Sequence, residues 1–177
     1  IFTPKESFND DSLENVKNFY PENPENSSFF DRQNIKDSAK ILKEITNAGI
    51  YVSRSNALDE IKEIDRSNII WTSGIKTWES LAKKGVWING TSDGMGEDFN
   101  PNISTLIEFP WIKFTHDLSP KTAISNVLVT YKLKEIPIKE NLNQKKYFYW
   151  MSSSAFNYAL KVSPNIIFDI HACGPGN

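Results

Sequence analysis

The residues best placed to do chemistry are two short runs of small side chains that follow apolar strands. Ile70-Trp71 leads into Thr72-Ser73-Gly74, and Tyr149-Trp150-Met151 leads into Ser152-Ser153-Ser154. Each run precedes a helix-patterned stretch. After a parallel strand, such a turn lies at the carboxyl edge of the sheet, where open α/β folds bind ligands. Hydroxyls there cap the helix, while its first N–H groups and its dipole favour an anion. Several such turns would bind carboxylates or phosphates without many Lys or Arg. Taken singly, each hydroxyl is better explained as an N-cap, stabilising its helix by ~1 kcal/mol. Taken together they favour a site.

An internal echo strengthens the set. Shifted by 80 positions, Ile70–Gly74 falls over Trp150–Ser154, Trp78 over Tyr158, Val86-Trp87-Ile88 over Ile166-Ile167-Phe168, and Asp93-Gly94-Met95-Gly96 over Cys173-Gly174-Pro175-Gly176. Identity is low. What repeats is a physical pattern: strand, hydroxyl turn, helix, strand, then a Gly-x-Gly loop through which backbone can approach a ligand closely. Any two βαβ units look alike at this coarseness, but here the glycine loops coincide as well.

Other candidates read more plainly. His116-Asp117 follows an apolar run and suits a capping Asp beside a surface His. His171 and Cys173 lie on one side of an extended segment, too few partners for zinc, and Cys173 reads as a small loop residue. Trp71, Trp78, Trp87, Trp111 and Trp150 read first as core. Tyr147–Trp150 after Lys145-Lys146 could mimic a base-stacking platform, but wider basic charge is missing.

Composition sets the bounds. The chain has 177 residues, 20 Lys+Arg against 22 Asp+Glu, and 39% hydrophobic residues. That balance argues against an electrostatic grip on nucleic acid. One cysteine excludes an internal disulfide framework. There is no membrane-length apolar run and no signal-like start, so the expected location is cytoplasmic and the Asn-x-Ser/Thr triplets at Asn26, Asn89 and Asn102 are accidental. The lack of an initial Met and the ending Gly174-Pro175-Gly176-Asn177 read as the ends of a fragment.

Stepping along the chain, residues 1–27 are polar and broken by Pro4, Pro21 and Pro24, a linker or extension with a short helix over 12–19. Phe29-Phe30 suits a brief strand. Ile35, Ala39, Leu42 and Ile45 form a helical stripe, capped by Asp31 or Asn34 and stopped at Asn47–Gly49. Strands are expected at 50–52, 69–72, 86–88, 111–115, 127–133, 147–151 and 166–170, with helices over 57–64, 75–84, 120–125 and 154–161. Alternation of this kind calls for parallel sheets covered on both faces.

These residues resemble the uroporphyrinogen-III synthase family, over roughly residues 28–177. That family has two α/β lobes, each with a strand ending in Thr/Ser-Ser before a helix and each with a later glycine loop. Its middle carries an aliphatic strand ending in tyrosine, matched by Val127-Leu128-Val129-Thr130-Tyr131-Lys132. The chain departs from it where Gly174-Pro175-Gly176-Asn177 stands for Gly-Pro-Thr-Thr, and in lacking the helix that follows. The resemblance implies an α/β fold of two small lobes with parallel sheets flanked by helices, flavodoxin-like halves. Lobe 1 would be discontinuous, 28–54 plus 134–177, with 55–133 as lobe 2. It implies a lyase that cyclises the linear tetrapyrrole hydroxymethylbilane with inversion of ring D and loss of water, in porphyrin and heme biosynthesis. Neither cofactor nor metal is implied. Tyr131 would be the proton donor, and Thr72, Ser73, Ser152, Ser153, Ser154 and Gly174 the substrate contacts. A monomer is expected, with hydroxymethylbilane synthase as a fused or transient partner.

Two other classes compete. One is a non-catalytic two-lobed module that binds a carboxylated or phosphorylated metabolite. The other is a flavodoxin-like or response-regulator domain, which would need a flavin-phosphate loop or an acidic cluster at a strand end. Neither stands out.

Overall fold

The computed structural model describes residues 18–23, 28–59, 63–93, 95, 108–119, 124 and 126–173. The fold is α/β, and its contacts divide the chain into two compact units. One holds Phe30–Lys134; the other holds the stretch up to Phe29 together with Glu135–Pro175.

The central unit is built on a six-stranded sheet. Its elements are β2 (Phe30–Asn34), α1 (Ser38–Glu44), β3 (Gly49–Val52), β4 (Ile69–Thr72), α2 (Ile75–Lys83), β5 (Gly90–Thr91), β6 (Trp111–His116) and β7 (Asn126–Glu135), in the spatial order β2-β7-β6-β3-β4-β5. β7, β6, β3, β4 and β5 pair in parallel. A parallel strand in mid-sheet has both faces covered and so reads as an unbroken apolar run. β3, Gly-Ile-Tyr-Val, is buried at every position. Gly49 is required there because a Cβ would collide with the ring of Trp111 on the next strand.

One face of this sheet carries the core. Ile50, Val52, Ile70, Phe114 and Tyr131 cluster with Leu42 of α1, Leu81 of α2 and Ala57-Leu58 of a 3-10 turn. Both helices therefore cover the same face. Each fully buried Leu or Ile contributes roughly 1.5–3 kcal/mol of apolar burial. α2 ends in a Schellman motif: Gly85, at φ +83°, donates to Ala82 O, and Val86 donates to Leu81 O.

The flanking unit has a three-stranded sheet, β1-β8-β9, formed by β1 (Phe19–Tyr20), β8 (Tyr147–Trp150) and β9 (Ile170–Cys173), again parallel throughout. The ten-residue helix α3 (Ser153–Val162) links β8 to a 3-10 turn at Pro164–Phe168 and then to β9. Aromatic rings fill its core. Trp150 meets Tyr20 at 5.2 Å, Phe148 at 5.6 Å and Phe156 at 5.5 Å. Burial, aided by the Glu140 carboxylate, pushes the Tyr20 phenol well above its ordinary range. Lys145, itself buried, holds Glu140 and Glu22 beside it.

Several expectations are corrected. The stretch 28–54, expected in lobe 1, contributes β2, α1 and β3 to the central sheet, because β3 bonds to both β4 and β6. The part of residues 1–27 that is described includes β1, a sheet strand rather than linker. The stripe from Ile35 starts its helix only at Ser38, since the Ile35 N–H is tied to Thr130 O of β7. Val86–Ile88 and Ile166–Phe168 are not strands; each lies just ahead of one. Trp87 is 81% exposed and Trp78 40%, so neither is core. In place of a helix at 57–64 a 3-10 turn covers Ser55–Leu58. Residues 60–62, most of the helix expected at 120–125, and nearly all of the one at 12–19 lie outside the described residues.

Candidate functional site

In the central unit the chain runs β3→β4→β5 in one direction and then returns to β6 and β7 on the other side of β3. That reversal makes a topological switch point between β3 and β6, at whose carboxyl edge ligands bind in open α/β sheets. The edge is lined by Ser53-Arg54 after β3, Thr72-Ser73-Gly74 after β4, Ser92-Asp93 after β5 and His116-Asp117 at the end of β6.

The hydroxyls at this edge are largely engaged with the protein itself. Ser53 Oγ donates to Phe114 O at 3.1 Å, and Ser73 Oγ donates to Ser53 O at 2.5 Å. Thr72, fully buried, donates to Gly74 O at 3.3 Å. Ser92 Oγ accepts from the Trp71 indole at 3.2 Å. These bonds weld the ends of β6, β3 and β4 together. The donors left for an anion are main-chain N–H groups: α2 begins at Gly74 with no side-chain cap and no acidic residue in its first turn. An uncapped N-terminus favours a negative group by its orphan N–H groups and dipole.

His116 and Asp117 close the other side of the switch point. His116 Nδ1 accepts from the Leu118 N–H at 3.2 Å, and Asp117 accepts from the Leu133 N–H at 3.0 Å. The carboxylate therefore receives an amide of β7 rather than capping a turn beside it. Tyr131 pairs with His116 across β6 and β7, with ring centroids 5.7 Å apart. Its side chain belongs to the buried core, at 0% exposure. β7 and β4 are three strand spacings apart, roughly 14 Å, so Tyr131 and Thr72 do not touch. Thr72 and Ser73 meet each other's neighbourhood; Tyr131 stands apart from them.

In the flanking unit, Ser152 is the N-cap of α3 and accepts from the Ala155 N–H at 3.2 Å. Ser154 Oγ reaches Ser152 Oγ at 3.4 Å, while Ser153 opens the helix at an exposed position. This turn is a helix cap first. Gly174 lies outside the described residues, as do Gly94 and Gly96. Cys173 is exposed at the end of β9 rather than in a loop, and His171 turns inward. Among the described residues no three His, Cys, Asp or Glu side chains gather to hold a metal ion.

Sequence reasoning missed Ser53 and Arg54. The signal was present: Ile50-Tyr51-Val52-Ser53 is an apolar strand ending in a hydroxyl, the same pattern as Ile70–Ser73. It also gave His116 no place in a site, because a switch point is visible only once strand order is known. No family model, curated protein or solved structure matches the chain. Among the described residues, no helix is long and apolar enough to cross a membrane.

Proposed function

We propose that the chain is a uroporphyrinogen-III synthase, a cofactor-independent cyclase of hydroxymethylbilane with two flavodoxin-like α/β lobes. The observation that carries this reading is the paired unit: a parallel strand, a hydroxyl turn, a helix and an edge strand, once in each half of the chain and 80 residues apart. Such turns suit a ligand with many carboxylates and few other handles. The substrate closes to the wrong isomer by itself, so the protein's task is to hold it bent, which is catalysis by positioning. In this reading the first-turn N–H groups of α2 take acetate or propionate groups in the central unit, and Ser53 shapes the switch point through its bond to Phe114 O. Ser153 and Gly174 serve in the flanking one. Thr72, Ser73, Ser152 and Ser154 shape these turns more than they touch the ligand. Tyr131 is the proposed proton donor to the departing hydroxyl. The enzyme would act in the cytoplasm as a monomer, next to or fused with the synthase that makes its substrate.

The burial of Tyr131 favours a second reading, a module that binds a carboxylated metabolite without chemistry, since a proton donor must reach its substrate. One assay separates the two. Freshly made hydroxymethylbilane is given to the folded chain, and the type I and type III uroporphyrins are resolved after oxidation. The synthase reading expects type III; type I alone sinks it. A Tyr131→Phe chain is expected to lose at least ten-fold in type III yield, and an unchanged yield removes Tyr131 from the chemistry.

A further inference from the structure

Trp78 is a large ring that the packing of the central unit leaves unused. It sits on α2, whose buried side chain is Leu81. Ile75 and Trp78, one turn apart on another face of that helix, stay 46% and 40% exposed. Among the described residues, the Trp78 indole has no ring partner, no cation over it and no hydrogen bond. The flanking unit shows what the same position does when it is structural. Tyr158 stands 80 residues on, at the matching place in the echo, on α3. Its ring meets Phe29 edge-on at 5.9 Å, and its hydroxyl donates to Ile136 O at 3.1 Å. Tyr158 is a fastener. Trp78 fastens nothing.

Single apolar residues at a surface are ordinary; this pair is set apart by where it lies. Helical side chains lean back toward the N-terminus, so the indole covers the turn that begins at the uncapped Gly74. The Gly74 carbonyl takes the N–H groups of Thr77 and Trp78. Those of Ile75 and Lys76 are left among the orphan donors of the helix start. The first turn also holds Lys76 and no acidic residue. An apolar wall and a positive pole thus stand within one helical turn of each other, about 5 Å. We propose that Trp78 is the stacking wall of this site and selects carboxylates carried on flat aromatic rings over aliphatic ones. The proposal rests on the reading that the α2 turn takes carboxylates, and it adds what carries them. A pyrrole with acetate and propionate arms fits both halves, its ring against the indole face and an acid arm at the open N–H groups. Ile75 extends the apolar wall. An aliphatic polyacid such as citrate can use the N–H groups alone.

The test is an NMR titration of the whole chain, which has 5 indole N–H signals to resolve. Uroporphyrin III is expected to move the Trp78 indole signal together with the Gly74–Lys76 amides. Citrate is expected to move those amides and leave the indole in place. Trp78→Ala, at an exposed helical position that alanine suits, should weaken uroporphyrin binding about ten-fold and citrate binding less than about two-fold. Trp78→Phe keeps a ring face and should recover most of the loss. An unmoved indole beside shifting amides overturns the stacking wall and spares the carboxylate turn. Equal losses for both ligands in Trp78→Ala mean that the side chain only shapes the turn, and overturn the proposal too. If uroporphyrin moves neither the indole nor the amides, the carboxylate reading of the turn falls with it.

Discussion

β4–α2–β5 and β8–α3–β9 are two versions of one device. In each, a parallel strand feeds a helix, and an edge strand follows at the same 80-residue offset, Gly90-Thr91 against Ile170-His171. In each, an indole N–H on the first strand reaches a side chain 21 residues on, Trp71 to Ser92 and Trp150 to His171. The differences lie in what completes each piece. α2 starts at an uncapped Gly74, whereas α3 is capped by Ser152. The acceptor is a serine hydroxyl in the first copy and an imidazole nitrogen in the second. One copy leaves its helix terminus without a side-chain cap; the other closes that terminus with the Ser152 hydroxyl.

The comparison can be broken most directly at the tryptophans. Trp150→Ala removes a ring that touches five aromatic neighbours and should cost about 3–5 kcal/mol. Trp71, half-buried, should cost roughly half as much on truncation. Denaturant unfolding of both variants checks this, and equal losses would contradict the ranking. Next come the glycines that make room for such rings. Gly49→Ala drives a Cβ into the middle of the Trp111 ring and should cost about 1–3 kcal/mol, and Gly90→Ala, which meets the outer edge of Trp71, should cost less.

Alkaline pH should separate the units. The Tyr20 phenol is held above its ordinary value by burial first and by Glu140 second. Folding therefore favours its neutral form, whose contribution is complete below the unfolded value of about 10 and is lost as pH rises beyond it. Protection of the β1 and β8 amides, measured against the base-catalysed intrinsic rate, should fall there in the native chain and not in Tyr20→Phe. The smallest expected effects are at the caps. Ser152→Ala should cost about 1 kcal/mol of stability, and Gly74→Ser should gain a few tenths. A gain at Gly74 together with weaker anion binding would show that the open terminus is kept for the ligand.

How much of this was legible follows from what each residue run specifies. β4, β6, β7 and β8 are stretches of Ile, Val, Trp, Tyr and Phe that pair along their length, and α2 and α3 carry clear punctuation in Gly85 and Ser152. These could be placed from the sequence to within a residue or two. Val86-Trp87-Ile88 and Ile166-Ile167-Phe168 misled for the same reason as each other. Three apolar residues suit a strand, but nothing in them says whether a partner strand is adjacent. Phe168 is 89% exposed and Pro164 begins a 3-10 turn instead. The boundaries of the units were hidden because β3 is apolar on both faces and would suit the middle of either sheet. The Thr72 and Ser73 turn was found, but its hydroxyls were given to a ligand when they bond to Gly74 O and Ser53 O. Which carbonyl lies within reach is a property of strand order, not of the local sequence.

The central proposal is that the open turn ahead of α2 takes carboxylates of a polyacidic ligand. A backbone-amide NMR titration of the chain with uroporphyrin III, the oxidised and stable form of the proposed product, tests it most directly. The proposal expects the amides of Gly74–Lys76 to shift and to saturate in that titration. No shift at these amides, in a chain that remains folded, would contradict it.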